Sequence, residues 1–296
     1  MLGNVILFTS IVLPVLVLLA ILFGWKYFFD RDARRSPLNT KIHNTPGEQL
    51  RVRLTELDET MLLTYMAAAL SGPTLLAAWL FARLRKVDMS ALKFGVGDWL
   101  FLVILIIVIV TAGLRMIRVG KERRKVQQGL SAEIVIAQHL LPLMGKGCVV
   151  FNDIPADKFN LDHVVIGPQA VFMVETKSRK KPAERGKESA KVFYDGQGLK
   201  FPNHMETKSL EQARNQARWL SEYLKGAAGE PVKVIPVLAL PGWWVEKTKT
   251  AIASDVIVTN GKNPAFMLSP NFGANMSESL RNRIAYALTQ RYPDPD

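Results

Sequence analysis

Three long apolar runs dominate the first 118 residues of the chain. A helix that crosses the hydrocarbon core of a bilayer needs about 20 apolar residues, and tryptophan is enriched where such helices meet the membrane interface. Trp25, Trp79 and Trp99 lie near the ends of these runs. The pattern therefore predicts a transmembrane region over residues 1–118, with helices at about 5–24, 61–82 and 97–117.

The second apolar run is the least regular of the three. Gly72-Pro73 in its middle allows either a kinked span or a re-entrant hairpin that neighbouring helices shield. The first run has no basic segment before it, so we interpret it as an uncleaved anchor and not as a signal peptide.

The distribution of basic residues predicts which side of the membrane each segment occupies. Seven Lys and Arg lie in the loop at 24–60, four lie at 83–98, six lie at 115–125, and none lies at 1–4. Cytoplasmic loops are enriched in Lys and Arg. The chain is therefore predicted to be a multi-pass protein of the cell membrane, with its N-terminus outside and its C-terminal domain in the cytoplasm.

Beyond the last apolar run, helical and strand periods alternate. A basic connector at 119–128 leads into apolar positions with helical spacing over 129–144. Three short β-rich runs follow, and Gly167-Pro168 between the last two predicts a hairpin. Both faces of these strands are apolar, which is typical of a sheet covered on both sides. The runs are 148–154, 161–166 and 171–176.

The rest of residues 129–296 completes one α/β domain. The charged stretch at 178–191 is predicted to be a loop, and Asp195-Gly196 indicates a small hairpin. Asn275 with Glu278 resembles a capping box that opens the last helix. The other predicted elements are the hairpin at 192–201, a helix at 206–225, strands at 232–240 and 255–259, and a last helix ending near Tyr292.

Composition narrows the function classes. The 49% hydrophobic content excludes a disordered chain, and the single cysteine, Cys148, excludes an intramolecular disulfide framework and a cysteine zinc cluster. The four histidines are scattered, which argues against a histidine metal site. A net charge of +12 indicates an anionic partner: nucleic acid, anionic lipid, or both.

One polar group of residues interrupts the apolar strands. The predicted hairpin brings Asp162 beside Glu175 and Lys177, which are two residues apart and therefore share a face. Two carboxylates at the ends of buried strands can hold a hard divalent cation such as Mg²⁺, and a lysine beside them can orient an activated water toward a phosphodiester. The pattern alone is also compatible with an ordinary salt bridge at a strand end.

Further residues extend this candidate site. Glu133 lies near the apolar stripe of its predicted helix, where a metal or a metal-bound water would serve as a partner, and Gln212 on a later helix can position a phosphate or the attacking water. His163 follows Asp162 but points to the opposite face, so we interpret it as a packed core residue. The predicted nucleic-acid contacts are Arg179, Lys180, Lys181, Arg214 and Arg218.

Residues 129–224 resemble the nuclease-related domain (NERD) family. The resemblance lies in four motifs: Gly129-Leu-Ser-Ala-Glu133, in which Ala132 replaces a glycine of the family, Asn160-Leu-Asp-His-Val-Val-Ile-Gly-Pro168, Val171-Phe-Met-Val-Glu-Thr-Lys177, and Gln212-Ala213.

The resemblance implies a restriction-endonuclease-like core of the PD-(D/E)xK type, with a mixed central sheet flanked by helices. It assigns Asp162 and Glu175 as metal ligands and Lys177 as the catalytic lysine, with Glu133 and Gln212 as supporting residues of the site. The implied activity is hydrolysis of DNA, with RNA as an alternative substrate, and the implied cofactor is Mg²⁺ or Mn²⁺.

Two other functions compete with this interpretation. A non-catalytic basic module would tether nucleic acid or a protein partner at the membrane, and the basic residues between Lys177 and Lys191 favour it. A transporter or channel is disfavoured, because the apolar runs contain no central charged residue.

Overall fold

The structure, a computed structural model, describes residues 43–84, 95–182 and 188–293. The predicted helix at 5–24 lies outside these residues, as does most of the predicted loop at 83–98. In the described part, the chain divides into two compact units. The first is Thr55–Arg124, and the second combines residues 43–54 with those from Lys125 onward.

Two long helices carry the apolar runs. Helix α1 spans Glu48–Leu84 and contains Pro73, so Gly72-Pro73 does not break it and the re-entrant hairpin considered for this segment is wrong. Helix α2 spans Val96–Met144 without a break. Both helices are long and apolar enough to cross a membrane, over Glu48–Leu80 and Trp99–Met144.

A five-stranded mixed sheet forms the centre of the second unit, with strand order β1-β2-β3-β7-β9. Strands β1, β2 and β3 pair antiparallel, whereas β3, β7 and β9 pair parallel. The predicted hairpin between the second and third strands is confirmed, and its turn is closed by the Gly167 N–H donating to the Ala170 carbonyl at 3.0 Å. The five strands are β1 (Val149–Pro155), β2 (Asn160–Ile166), β3 (Val171–Thr176), β7 (Val234–Ala239) and β9 (Ile257–Thr259).

A second, smaller sheet has strand order β6-β5-β4-β8. The predicted hairpin around Asp195-Gly196 forms β4 and β5, and β8 joins β4 in parallel. The four strands are β4 (Lys191–Tyr194), β5 (Leu199–Lys200), β6 (Met205–Glu206) and β8 (Trp244–Lys247).

Apolar layers cover both faces of the central sheet, as its strand pattern predicts. All residues of β3 are buried. One layer contains Leu210, Leu220 and Leu224 of helix α3, and the other contains Ile136 and Leu140 of α2. The remaining helices are α3 (Lys208–Ala228), the short α4 (Lys249–Ile252) and α5 (Glu278–Thr289), with 3₁₀ turns at Glu188–Ala190, Pro264–Leu268 and Pro270–Phe272.

The cap predicted for the last helix is wrong. Ser277 precedes α5, and its hydroxyl accepts a hydrogen bond from the Leu280 N–H at 3.1 Å. Asn275 instead accepts from the Gln169 amide at 2.8 Å. Both residue types favour caps, and the tertiary contact with Gln169 is invisible to a local pattern.

Candidate functional site

Three predicted site residues meet where β2 and β3 reach the same end of the central sheet. Asp162 lies near the start of β2, and Glu175 lies near the end of β3. Because the two strands run antiparallel, these positions are close together. Lys177 follows β3 directly, and its N–H donates to the Ala239 carbonyl at 2.9 Å, which extends the ladder to β7 by one residue.

The Glu175 carboxylate is the centre of the group. Its side chain lies in the core, with only 1% of the residue exposed. Oε1 accepts from the Lys177 ammonium and from Nε2 of Gln212, the latter at 2.7 Å. Oε2 is also buried, yet it has no hydrogen-bond partner among the described residues. A buried carboxylate oxygen without a donor is costly, so this atom is suited to accept a cation or a polar hydrogen.

Asp162 is anchored by the backbone. Its Oδ2 accepts from the Thr176 N–H at 2.6 Å, which fixes the carboxylate against the end of β3. Burial and the nearby negative charges of Glu175 and Glu133 raise the pKa of Asp162 well above its usual range. Because like charges are concentrated here, a bound cation would favour the ionised carboxylates.

Helix α2 brings Glu133 to the same region. Burial raises the pKa of the Glu133 carboxyl to about 7, and the charges of Asp153 and Glu175 add to this effect while Lys177 opposes it. The carboxyl therefore exchanges its proton near neutral pH. Glu133 precedes the strands in the sequence, and its carboxyl interacts electrostatically with Glu175 and Lys177.

Asp153 is a site neighbour that the sequence analysis did not identify. It lies at the end of β1, is 3% exposed, and has a left-handed φ of 46°, which aspartate tolerates better than most residues. Its carboxylate accepts from Asn160 Nδ2 at 2.6 Å and from the Gln49 N–H at 2.7 Å. An acidic residue inside an apolar strand was the available signal, but its partners lie too far away in sequence to be inferred.

The segment before α1 packs against this side of the site. The Asn44 amide donates to the Asp153 carbonyl at 2.8 Å. Gly47 has a φ of 70°, and a Cβ there would lie 2.5 Å from Leu130 Cδ1 and 3.3 Å from Glu133 Oε2. A side chain at position 47 would therefore press on Glu133. These contacts belong to the second unit, which includes residues 43–54 as well as the residues from Lys125 onward.

Two of the acidic residues carry oxygen atoms with the chemistry of metal ligands. Within the described ranges, no three Asp, Glu, His or Cys side chains lie close enough together to enclose a metal ion. Mg²⁺ is commonly held by one or two carboxylates and otherwise by water. The unpartnered Oε2 of Glu175 and the carboxylate of Asp162 beside it fit that requirement.

The structure separates the predicted nucleic-acid contacts into paired and exposed residues. Arg179 forms an ion pair with Glu206 at 2.6 Å, and Arg214 forms one with Asp255 at 2.7 Å. Lys181 lies over the ring of Trp243, 5.8 Å from its centroid. The side chains of Lys180 and Arg218 are exposed. Arg185 and Lys187 in the same basic stretch lie outside the described residues.

His163 has the structural role predicted for it. The residue is completely buried, and its Nδ1 lies 2.9 Å from Asn152 Oδ1. Burial lowers the pKa of His163 to about 3, so the imidazole is neutral at physiological pH.

Comparison with known proteins identifies the family of the α/β domain. No curated protein matches the chain. A solved structure, Pyrococcus furiosus SfsA in complex with Ca²⁺, is 19% identical over 45% of this chain and 55% of that chain, with a TM-score of 0.22. The match thus spans about half the length of SfsA. The family model of the nuclease-related domain matches residues 128–241, which contain all five predicted catalytic residues. Residues 128–241 of this chain are therefore a nuclease-related domain.

Proposed function

We propose that this protein is a membrane-anchored enzyme that hydrolyses DNA phosphodiester bonds on the cytoplasmic side, with Mg²⁺ or Mn²⁺ as cofactor and a PD-(D/E)xK type of site. One observation carries the proposal. Asp162, Glu175, Lys177 and Gln212 converge at one end of the central sheet, and Glu175 retains a buried oxygen without a hydrogen-bond partner.

Asp162 and Glu175 would hold the metal ion, and Glu133 would reach it directly or through water. When bound, the ion would act as a Lewis acid and would help to generate the nucleophile from water. The predominance of carboxylates supports this cofactor, because carboxylate oxygens suit Mg²⁺ and Mn²⁺.

The chain's own residues have separate tasks in this proposal. Gln212 and Lys177 both donate to Oε1 of Glu175, so they fix the carboxylate and leave Oε2 as the oxygen that would bind a cation. The Lys177 ammonium can also donate to a phosphate oxygen as negative charge develops there. If Glu133 does not ligate the ion itself, it can accept a proton near neutral pH, because its pKa is about 7.

The proposed position in the cell rests on helices α1 and α2. Each contains a stretch that is long and apolar enough to cross a bilayer. The basic residues on either side of these stretches favour a cytoplasmic nuclease-related domain.

The test compares the full-length protein in detergent with Lys177→Ala, using single-stranded, double-stranded and circular DNA, and RNA. The full chain is needed because residues 43–54 belong to the same unit as the nuclease-related domain. We expect cleavage only with Mg²⁺ or Mn²⁺, and we expect Lys177→Ala to reduce its rate by about 10²-fold or more, as for other residues that stabilise transition-state charge. The matched control is Lys225→Ala, an exposed lysine near the end of α3.

Two results would contradict the proposal. Cleavage by Lys177→Ala at the rate of Lys225→Ala would exclude this site. Binding without cleavage, independent of Mg²⁺ and weakened steeply by salt, would favour the tethering module instead.

A further inference from the structure

The second sheet turns an aromatic and basic face away from the core. Phe193 on β4, Trp244 on β8 and Met205 on β6 are 43%, 62% and 67% exposed. Val192 and Tyr194, which alternate with Phe193, are fully buried. The inner face of the sheet thus packs into the core, whereas its outer face exposes large apolar side chains that do not pack there.

The strand register places these side chains on one surface. Phe193 pairs with Lys200, and Lys200 pairs with Met205. Lys191, two residues before Phe193, pairs with Trp244. Paired residues lie on the same face of a sheet, and so do residues two apart on a strand. We call this surface the outer face; its members are Lys191, Phe193, Lys200, Met205, Trp244 and Glu246.

A cavity of about 410 Å³ lies against the outer face. Its lining residues include Lys191, Phe193, Lys200 and the largely buried Phe201. Glu246 on the same face is paired with Lys191 at 3.0 Å, which reduces its repulsion of an anion. The cavity therefore combines aromatic rings with positive charge.

The basic segment that follows Lys177 connects the outer face with the site. Arg179 donates to Glu206 on β6 and to Ser209 at the start of α3, so this segment is fixed beside the second sheet. Lys181 continues it to Trp243, the residue before β8. In the described residues 177–182 and 188–208, the chain has seven Lys and Arg against three Asp and Glu. This positive potential would attract a phosphate backbone near the site.

We propose that the outer face binds single-stranded nucleic acid, with bases stacked on Phe193 and Trp244 and phosphates near Lys200 and Lys181. Stacking on an exposed ring needs an unpaired base, which a duplex does not offer, and aromatic side chains among lysines are the usual means of binding single strands. The proposal rests on the proposed function for what happens to the strand. The preferred substrate is then a single strand that binds the outer face and extends from it to Lys177.

Binding without cleavage tests the proposal. The full-length protein in detergent, with EDTA, is titrated into a fluorescein-labelled oligothymidylate and into a labelled duplex of the same length. We expect Phe193→Ala and Trp244→Ala each to weaken single-strand binding about tenfold, the loss typical of one base stack. Duplex binding should stay within about twofold, because it depends on phosphate contacts.

Two further variants serve as controls. Phe193→Tyr keeps an aromatic ring and should keep the affinity. Tyr286→Ala removes an aromatic residue that is 68% exposed on α5, outside the outer face, and should bind like the wild type. The proposal is overturned if Phe193→Ala and Trp244→Ala bind the single strand like Tyr286→Ala, if they lose duplex binding equally, or if the wild-type protein binds no single strand.

The outcome is separable from that of the cleavage test. Wild-type protein that cleaves DNA but is insensitive to Phe193→Ala and Trp244→Ala would refute the outer face and leave the catalytic proposal intact. If the protein binds single strands through Phe193 but cleaves no substrate, the proposed hydrolysis is refuted and the proposed binding surface is retained.

Discussion

At the scale of residues, the site concentrates negative charge around one lysine. The charge of Glu175 raises the cost of ionising Glu133 and Asp162, and Lys177 lowers that cost. Only Glu175 receives both the ammonium and an amide. The other two carboxyls therefore carry most of the electrostatic strain, and either a proton or a cation relieves it.

This strain predicts a pH dependence of stability. The pKa of Glu133 is about 7 in the folded protein, above its ordinary value of 4.5. The folded state therefore binds a proton that the unfolded state has lost, and stability falls as the pH rises toward and through 7. In EDTA at pH 8, we expect Glu133→Gln to increase the free energy of unfolding by on the order of 2 kcal/mol and so to raise the unfolding temperature. At pH 5, we expect the substitution to change the unfolding temperature little.

Thermal unfolding of the full-length protein at both pH values measures this effect. The control is Glu222→Gln, a change at an exposed position of α3. Equal shifts at pH 5 and pH 8, or destabilisation at pH 8, would show that the Glu133 charge is not strained. Added Mg²⁺ should stabilise the wild type more than Glu133→Gln at pH 8, because the cation offsets the charge that the variant lacks.

The sequence indicates Asp162, Glu175 and Lys177 because strand alternation and hairpin pairing follow from local spacing. It does not indicate Asp153 as a neighbour of Glu133. The donors to Asp153 include the Gln49 N–H, about a hundred residues away, and its positive φ has no local signature. Long-range contacts of this kind emerge only when the chain is folded.

At the scale of elements, apolar runs bounded by turns predict the strands of the central sheet to within a few residues. The same reasoning cannot predict that β8 would pair with β4 in parallel, since those strands are about fifty residues apart. It also fails at the start of α5, where Ser277 and Asn275 are both suitable caps and a contact from Gln169 decides between them.

Asp153 on strand β1 caps helix α1, although it lies outside that helix in the sequence. Its carboxylate accepts the Gln49 N–H in the first turn of α1, where an anion also interacts favourably with the helix dipole. We expect Asp153→Ala to destabilise the full-length protein by about 1–2 kcal/mol, through the lost cap and the unfavourable φ.

Asp153→Asn is the matched control for this prediction. Asparagine keeps an acceptor oxygen for the Gln49 N–H and tolerates the left-handed backbone, so its unfolding temperature should stay close to that of the wild type. An Asp153→Ala protein as stable as Asp153→Asn would mean that the cap contributes nothing measurable.

At the scale of the whole molecule, the contacts of Asp153 bear on membrane topology. Asn44 and Gln49 bind Asp153, so in the proposed membrane-anchored arrangement the segment that contains them lies on the same side of the bilayer as the nuclease-related domain. The chain between them must then cross the bilayer an even number of times. Two crossings, at 61–82 and 97–117, meet this condition, whereas a single crossing would separate Gln49 from Asp153.

Cysteine labelling in intact cells tests this topology. Cys148 is 5% exposed, so the wild-type protein should react little with a membrane-impermeant maleimide. We expect Lys93→Cys, in the predicted outer loop, to be labelled from outside, and Lys41→Cys and Lys225→Cys to be labelled only after permeabilisation. Labelling of Lys41→Cys and Lys225→Cys on opposite sides would contradict the contacts of Asp153. Labelling of both from outside would reverse the orientation and would place the nuclease-related domain away from cytoplasmic DNA.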